Sequence, residues 1–358
     1  MRRLAPLLLL LTAALAQAQQ APGAVPVSPE VDAHAQSPRW GPFGERLSWE
    51  LNHLDTRLVE LVLFSPKTGV QKVGARAASS LTAGFATSSS SETMSSELSW
   101  SPQGLNTYVY TGSTTDRDYD LHLAGGSRLA PAPGADGGAA WSPDGRWIAF
   151  TSARTGQGDL YLLDVQATEK PPRRLTTDPE TAELQAAWSP DSRSLAYVRR
   201  GPTGDTVYVI DDLAAPKPRA VAPLGGAQVR PSFSPDGRHL GFYSNHEDHK
   251  RFDLMLIDAS GTPRLVAKGV VLNSSGPRFT PDGMRVIYVL DDPERFNPIY
   301  IAPVDGGVGK PVPTRTVGNM DHDLVGDRNG KTWLAISAQG ELKGTDRDWR
   351  RIYVMELP

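Results

Sequence analysis

One hairpin is written seven times along this chain of 358 residues. Its clearest copy is Trp141-Ser142-Pro143-Asp144-Gly145-Arg146-Trp147-Ile148-Ala149-Phe150. The lead aromatic recurs at Trp40, Trp100, Trp141, Trp188, Phe233 and Phe279, with gaps of 60, 41, 47, 45 and 46 residues. A further 47 residues reaches Gly326, where Asn329-Gly330 keeps the turn but the aromatic is gone. A period in the forties with several short strands per unit marks a β-propeller. Counting the weak last unit gives seven blades; omitting it gives six.

The turn has a local physical cause. Pro143 presets φ near −65° for the first corner of a type I turn, Asp144 tolerates the second, and Gly145 takes the left-handed position. Such a glycine gives the bulged connection that suits twisted antiparallel strands. The equivalent residues are Gly44, Gly104, Gly237, Gly283 and Gly330, with Ser192 as the exception. Ser192 is expected to carry a mildly strained backbone, so that Ser192→Gly would be neutral or stabilising.

Strands follow each turn in aligned columns. Nine residues past the lead position stand Trp49, Val109, Phe150, Tyr197, Phe242 and Tyr288, and one residue earlier Ser48, Ala149, Ala196 and Gly241 are small. Large beside small suits sheets packed radially against neighbours. Third strands read as Leu160-Tyr161-Leu162-Leu163 and Val207-Tyr208-Val209-Ile210, and short fourth strands as Arg174-Leu175-Thr176 and Arg264-Leu265-Val266. The fold class is therefore all-β, a propeller of four-stranded blades. The last unit stops after Ile352-Tyr353-Val354-Met355, and Ala24 to Val27 is the candidate for its missing edge. Pro26 there is compatible only with an edge strand.

Residues 1–18 read as an export signal: Arg2-Arg3, an apolar run from Leu4, and small-x-small patterns at Ala14-Leu15-Ala16 and Ala16-Gln17-Ala18. The run is short for a bilayer span, and no later segment is apolar for long enough. Residues 19–37 form an N-terminal segment that includes the closing edge, and 38–358 form the propeller. A serine-rich insertion at 74–96 is expected to be a loop between blades one and two. The chain contains no cysteine, which excludes disulfides, thiolate metal sites and a lipid-anchored cysteine. Without Arg2 and Arg3 the balance is 37 − 2 = 35 basic against 40 acidic residues, a net charge of −5. No basic stripe interleaved with aromatics appears, so nucleic acid is not an expected partner.

Propeller geometry sorts the loops by face. The Ser-Pro-Asp-Gly turns lie on one face; the loops joining second to third strands, and those between blades, lie on the other. Lengths vary on that second face, and binding residues concentrate on variable loops. The partner-binding candidates there are His246, Glu247, His249 and Arg251, with Asp321, His322 and Trp349 near the seventh unit. His246-Glu247-Asp248-His249 has the residue types for zinc or manganese. Its spacing is not that of a helical metal pair, and a solvated charged loop is the expectation, with no metal or other cofactor. Asp116, Asp118 and Asp120 alternate like a calcium loop, but Leu121 replaces the required glycine. Asp120, Asp159 and Asp253 recur before third strands, which points to architecture. No Gly-x-Ser-x-Gly elbow occurs.

The units Trp141 to Phe150, Asp159 to Asp164 and Arg174-Leu175-Thr176 resemble the repeats of the TolB-like propeller family, over about residues 38 to 357. The resemblance implies a propeller, and a periplasmic role binding an envelope lipoprotein, although similar repeats occur in propeller domains attached to peptidases. TolB itself carries an α/β domain ahead of a six-bladed propeller, whereas here the hairpins begin at Trp40 and number seven. The repeats that match are structural, and no binding residue is carried over. The functional expectation is an exported, non-catalytic, monomeric module of the periplasm or exterior, binding an envelope protein or polymer. The alternatives are a propeller enzyme, such as a metal-assisted lyase or hydrolase, and a structural envelope component.

Overall fold

A computed structural model describes residues 23–53, 55–56, 58–65, 69–77, 98–104, 106–113, 119–222, 224–274, 276–340 and 349–357. It contains seven antiparallel sheets of four strands each. These are the blades of a seven-bladed propeller, so the weak last unit counts. Its second strand, Thr332–Gln339, pairs with Val317–Gly326 on one side and Arg351–Leu357 on the other. The fourth strand of that blade is Val25–Pro26, with Val25 opposite Val354 and Pro26 opposite Tyr353. The chain ends thus share one sheet.

Seven apolar clusters replace a single core, each joining two adjacent blades. One links Phe150 and Ile148 of the third blade to Val109 and Leu121 of the second. Another closes the ring, packing Trp49 and Val62 of the first blade on Ile352 and Val354 of the seventh. The column of large residues supplies most of these wedges: Trp49, Val109, Phe150, Tyr197 and Phe242 are wholly inaccessible to solvent. The small column lets the next blade approach. A Cβ on Gly241 would lie 3.0 Å from Pro277 and 3.2 Å from Phe279 of the sixth blade.

The turns also touch. In each regular copy the serine or threonine hydroxyl donates to the turn aspartate, at 2.6 Å for Ser142–Asp144, Ser189–Asp191, Ser234–Asp236 and Thr280–Asp282. Gly145 sits at φ +75° and Ser192 at +61°, so serine does adopt the left-handed position. Gln103 Nε2 of the second blade donates to the Asp144 carbonyl at 2.6 Å, and Asp144 N–H donates to Ser192 Oγ at 2.9 Å. The chain of contacts continues, with Pro190 against Gly237 and Asp236 against Gly283.

Two boundaries differ from the sequence reading. The inner strand of the first blade begins at His34, ahead of the expected residue 38, because Ala35 and Gln36 already pair with Leu51 and Glu50. Its outer strand runs Gly69–Ala77, so the first residues of the expected 74–96 insertion are paired strand. The remainder of that insertion, the export signal at 1–18 and Asp116 and Asp118 lie outside the described residues.

Candidate functional site

The inner strands wall the central channel, and all but a few carry the same distortion. Three positions before the lead aromatic stand Ser37, Gly138, Gln185, Arg230 and Gly276, all at positive φ between +52° and +83°. Pairing with the second strand skips there, between Gln36 and Arg39, Gly137 and Ala140, Leu184 and Ala187, and Val229 and Ser232. These are β-bulges, which bend a strand and re-aim its side chains, and they concentrate beside functional sites. Ser37, Gln185 and Arg230 take the left-handed conformation without being glycine, at about 1–2 kcal/mol each. Neighbouring blades hold them. Gln185 Oε1 accepts from the Arg230 N–H at 2.7 Å, bridging the fourth and fifth blades.

The channel encloses a cavity of about 500 Å³ to which every blade contributes. Its wall runs from Gly137 to Pro143 in the third blade, roughly 20 Å of strand. The apolar part is aromatic and small: Trp40, Trp100, Trp141, Trp188 and Phe233 alternate with Ala140, Ala187 and their neighbours. Two indoles are fixed between blades, with Trp100 Nε1 donating to Arg39 O at 3.3 Å and Trp188 Nε1 to Ala140 O at 2.9 Å.

The polar part gathers around Ser274 of the sixth blade. Arg39 Nη2 donates to its hydroxyl at 2.6 Å, and Arg230 Nη1 to its carbonyl at 2.9 Å. The Ser274 hydroxyl donates in turn to Asp321 Oδ2, and the Ser274 N–H donates to Asp321 Oδ1 at 3.0 Å. Beside it, Asp323 receives the Trp40 N–H at 2.7 Å and pairs with Arg278 Nε at 2.7 Å. Burial lowers the Arg39 pKa, against the pull of Asp321. His322 is wholly buried in the same strand, and loss of solvent, with Arg278 adding, pushes its pKa down to about 3. The imidazole is therefore neutral at physiological pH, and Nε2 lies 3.3 Å from the Ile287 carbonyl.

The residues singled out from sequence fall into three settings. Asp321 and His322 are in the inner strand of the seventh blade, wholly buried, and Asp321 belongs to the channel cluster. His246, Glu247, His249 and Arg251 sit on the loop between the second and third strands of the fifth blade. There His246 Nδ1 lies 3.1 Å from Ser244 Oγ, Glu247 pairs with Lys268, and the His249 carbonyl accepts from Asn245 at 3.2 Å. Trp349 precedes the third strand of the seventh blade and meets His34 edge-on, 4.8 Å between ring centres. Among the described residues no three His, Asp or Glu side chains gather as a metal site would require. Two of the recurrent aspartates pair with arginines of their own outer strands, Asp120 with Arg128 at 2.6 Å and Asp159 with Arg174 at 2.8 Å. Asp253 accepts from the Gly269 N–H at 2.9 Å.

Sequence reading missed Arg39, Arg230, Ser274 and Arg278, whereas Asp323 stands in the Asp321-His322-Asp323 cluster that the sequence offered as able to face the channel. One signal was available. The residue before the lead aromatic is small at Ser99, Ala140, Ala187 and Ser232 but arginine at Arg39 and Arg278.

Residues 172–347 match the sequence model of the TolB β-propeller domain. This chain is TolB-like. Among curated proteins, an uncharacterized protein of Agrobacterium fabrum is 36% identical over 74 residues, which covers 19% of this chain and a quarter (25%) of that relative. TolB from Acinetobacter baumannii superposes with a TM-score of 0.52 at 17% identity, covering 74% of this chain and 63% of its own. The propeller domain of the trilobed protease from Pyrococcus furiosus gives 0.56 at 13% identity, covering 91% and 96%, and is described as having an open velcro topology. A puromycin hydrolase gives 0.59 at 13% identity, covering 89% of this chain and 53% of that one. Likeness at these identities is likeness of fold.

Proposed function

We propose that this TolB-like protein is an exported, non-catalytic binding module of the cell envelope that takes its ligand in the central channel. One observation carries the reading: the strained bulges at Ser37, Gln185 and Arg230 are spent on shaping the channel wall. Backbone strain of this kind persists where surrounding structure over-determines it, and it clusters at ligand sites. The cavity falls within the size range of small-molecule pockets and has their composition, an apolar lining with a few convergent polar groups. The basic start of the chain and its short apolar run support export. The loop of His246 to Arg251 and the edge at Trp349 are proposed as the rim that a larger envelope partner would touch.

The experiment is capture from the envelope extract of the source organism, using the full chain and an Ala139→Phe variant that fills the channel. A partner retained by the first and lost by the second supports the channel as the site. A partner held equally by both moves the binding function to the rim, and turnover of a captured polymer would replace the non-catalytic reading with an enzymatic one.

A further inference from the structure

The channel offers hydrogen-bond donors that nothing among the described residues receives. Arg39 has only 7% of its surface exposed, yet its guanidinium makes two hydrogen bonds, to the Pro38 carbonyl and to Ser274 Oγ. Among the described residues no carboxylate forms an ion pair with it, and three of its five N–H groups are left without an acceptor. Taking a cation out of water without a paired anion is costly. Among the described residues, the wall atoms without a hydrogen bond are Trp40 Nε1, Trp141 Nε1 and Arg278 Nε, all of them donors, the last ion-paired with Asp323. The acceptors nearby are already used. Asp323 is held by Arg278 and the Trp40 N–H, and Asp321 by Ser274.

We propose that the channel binds a carboxylate carried on an apolar body, with the Arg39 guanidinium as its anchor. This inference rests on the reading of the channel as a binding site and adds the chemistry of the ligand. Arginines Arg39, Arg200, Arg230 and Arg278 reach the wall, against the single carboxylate of Asp323. Asp321, Asp205 and Glu50 neutralise from behind it; Asp205 holds Arg200 at 2.9 Å. The surface that a ligand meets is thus positive while the whole cluster is near neutral. The planar guanidinium fork matches a carboxylate with two parallel hydrogen bonds. Trp40, Trp100 and Trp141 beside it accept a flat apolar group, which a bare inorganic anion lacks.

The test uses the full chain and three simple probes: benzoate, its neutral isostere benzamide, and inorganic phosphate. Tryptophan fluorescence and thermal unfolding are followed during titration. Benzoate is expected to saturate and raise Tm, with benzamide at least tenfold weaker and phosphate weaker than benzoate. Folded Arg39→Met should lose the preference for benzoate over benzamide, and Ala139→Phe should bind neither. Equal affinity for benzoate and benzamide, no benzoate binding, tighter binding of phosphate, or undiminished benzoate binding by Ala139→Phe would each overturn the assignment. Should Arg39→Met not fold, Arg39→Lys keeps the charge without the fork and is expected to weaken benzoate at least fivefold; unchanged affinity there overturns the fork as anchor. Partner capture by a protein that does not distinguish benzoate from benzamide would leave the binding module standing and remove only the carboxylate.

Discussion

The Ser192 hydroxyl receives the backbone N–H of Asp144 at 2.9 Å, joining the turns of two adjacent blades. The sequence alone suggests that Ser192→Gly should be neutral or stabilising, because it restores the glycine that the turn prefers, and φ is indeed +61° there. The contact reverses that expectation. Glycine relieves about 1 kcal/mol of left-handed strain but loses a hydrogen bond of about 1 kcal/mol and adds unfolded-chain entropy of about 0.5–1 kcal/mol. We therefore expect Ser192→Gly to destabilise by roughly 0.5–1 kcal/mol and Ser192→Ala, which keeps the strain, by about 1 kcal/mol. Urea unfolding of both variants checks this; a Ser192→Ala protein as stable as the parent would mean that the bond contributes nothing.

The same ring of turns separates two glycines of equal conformation. Gly145 and Gly330 lie at φ +75° and +79°. A Cβ at Gly145 would meet the Gln103 side chain at 2.5 Å, whereas at Gly330 it would meet nothing within 4 Å. Valine at either site is penalised by positive φ, at roughly 2 kcal/mol. Gly145→Val should cost about 1 kcal/mol beyond that, because Gln103 must leave the Asp144 carbonyl. Equal destabilisation of the two variants would show that the turns do not support one another.

These cases mark what can be read from a chain of this kind. The turns were legible because Pro143, Asp144 and Gly145 act through their own backbone preferences, and the blades because Trp49, Phe150 and Tyr197 recur in register. The bulges were not. Their left-handed position is held by serine, glycine, glutamine and arginine in turn, since neighbouring blades impose it and local propensity does not. Ser274 is likewise joined to Arg39, 235 residues away, and to Asp321, 47 residues away, and no local pattern announces such partners. Asp321 and His322 were legible only as a polar cluster; their place in an inner strand follows from the length of that strand, Val317–Gly326.

Closure of the ring gives a third expectation. Val27 is buried against Trp49 and Ile352, its N–H donates to the Ile352 carbonyl at 2.8 Å, and Ser28 Oγ receives the Ile352 N–H at 2.9 Å. Deleting residues 19–28 removes that apolar contact and bares the edge of the last blade. The loss should be a few kcal/mol, a large share of the stability of a typical domain. An unchanged Tm for the truncated protein would show that the seventh blade is stable with three strands.

The last expectation concerns pH. Asp136 is fully buried in the third blade, where Arg154 Nη2 reaches both its oxygens at 3.2 and 3.0 Å. Burial outweighs that pairing and raises its pKa from 3.8 to about 6. A carboxyl whose folded pKa lies above its unfolded value favours the folded state most when protonated. Its contribution is complete below pH 3.8 and is lost as pH rises through about 6, an effect of at most about 3 kcal/mol. Asp191, Asp236 and Asp282 in the turns have lowered pKa values and act in the opposite sense, so the parent protein's profile mixes both. Comparison with Asp136→Asn isolates the buried group, because asparagine does not ionise. Between pH 4 and pH 7 the stability difference should move in favour of the variant, by about 1–3 kcal/mol after allowance for lost bonds to Arg154. A difference independent of pH across that interval, measured by urea unfolding, would mean that Asp136 is already ionised at pH 4 and that the ion pair with Arg154 dominates its burial.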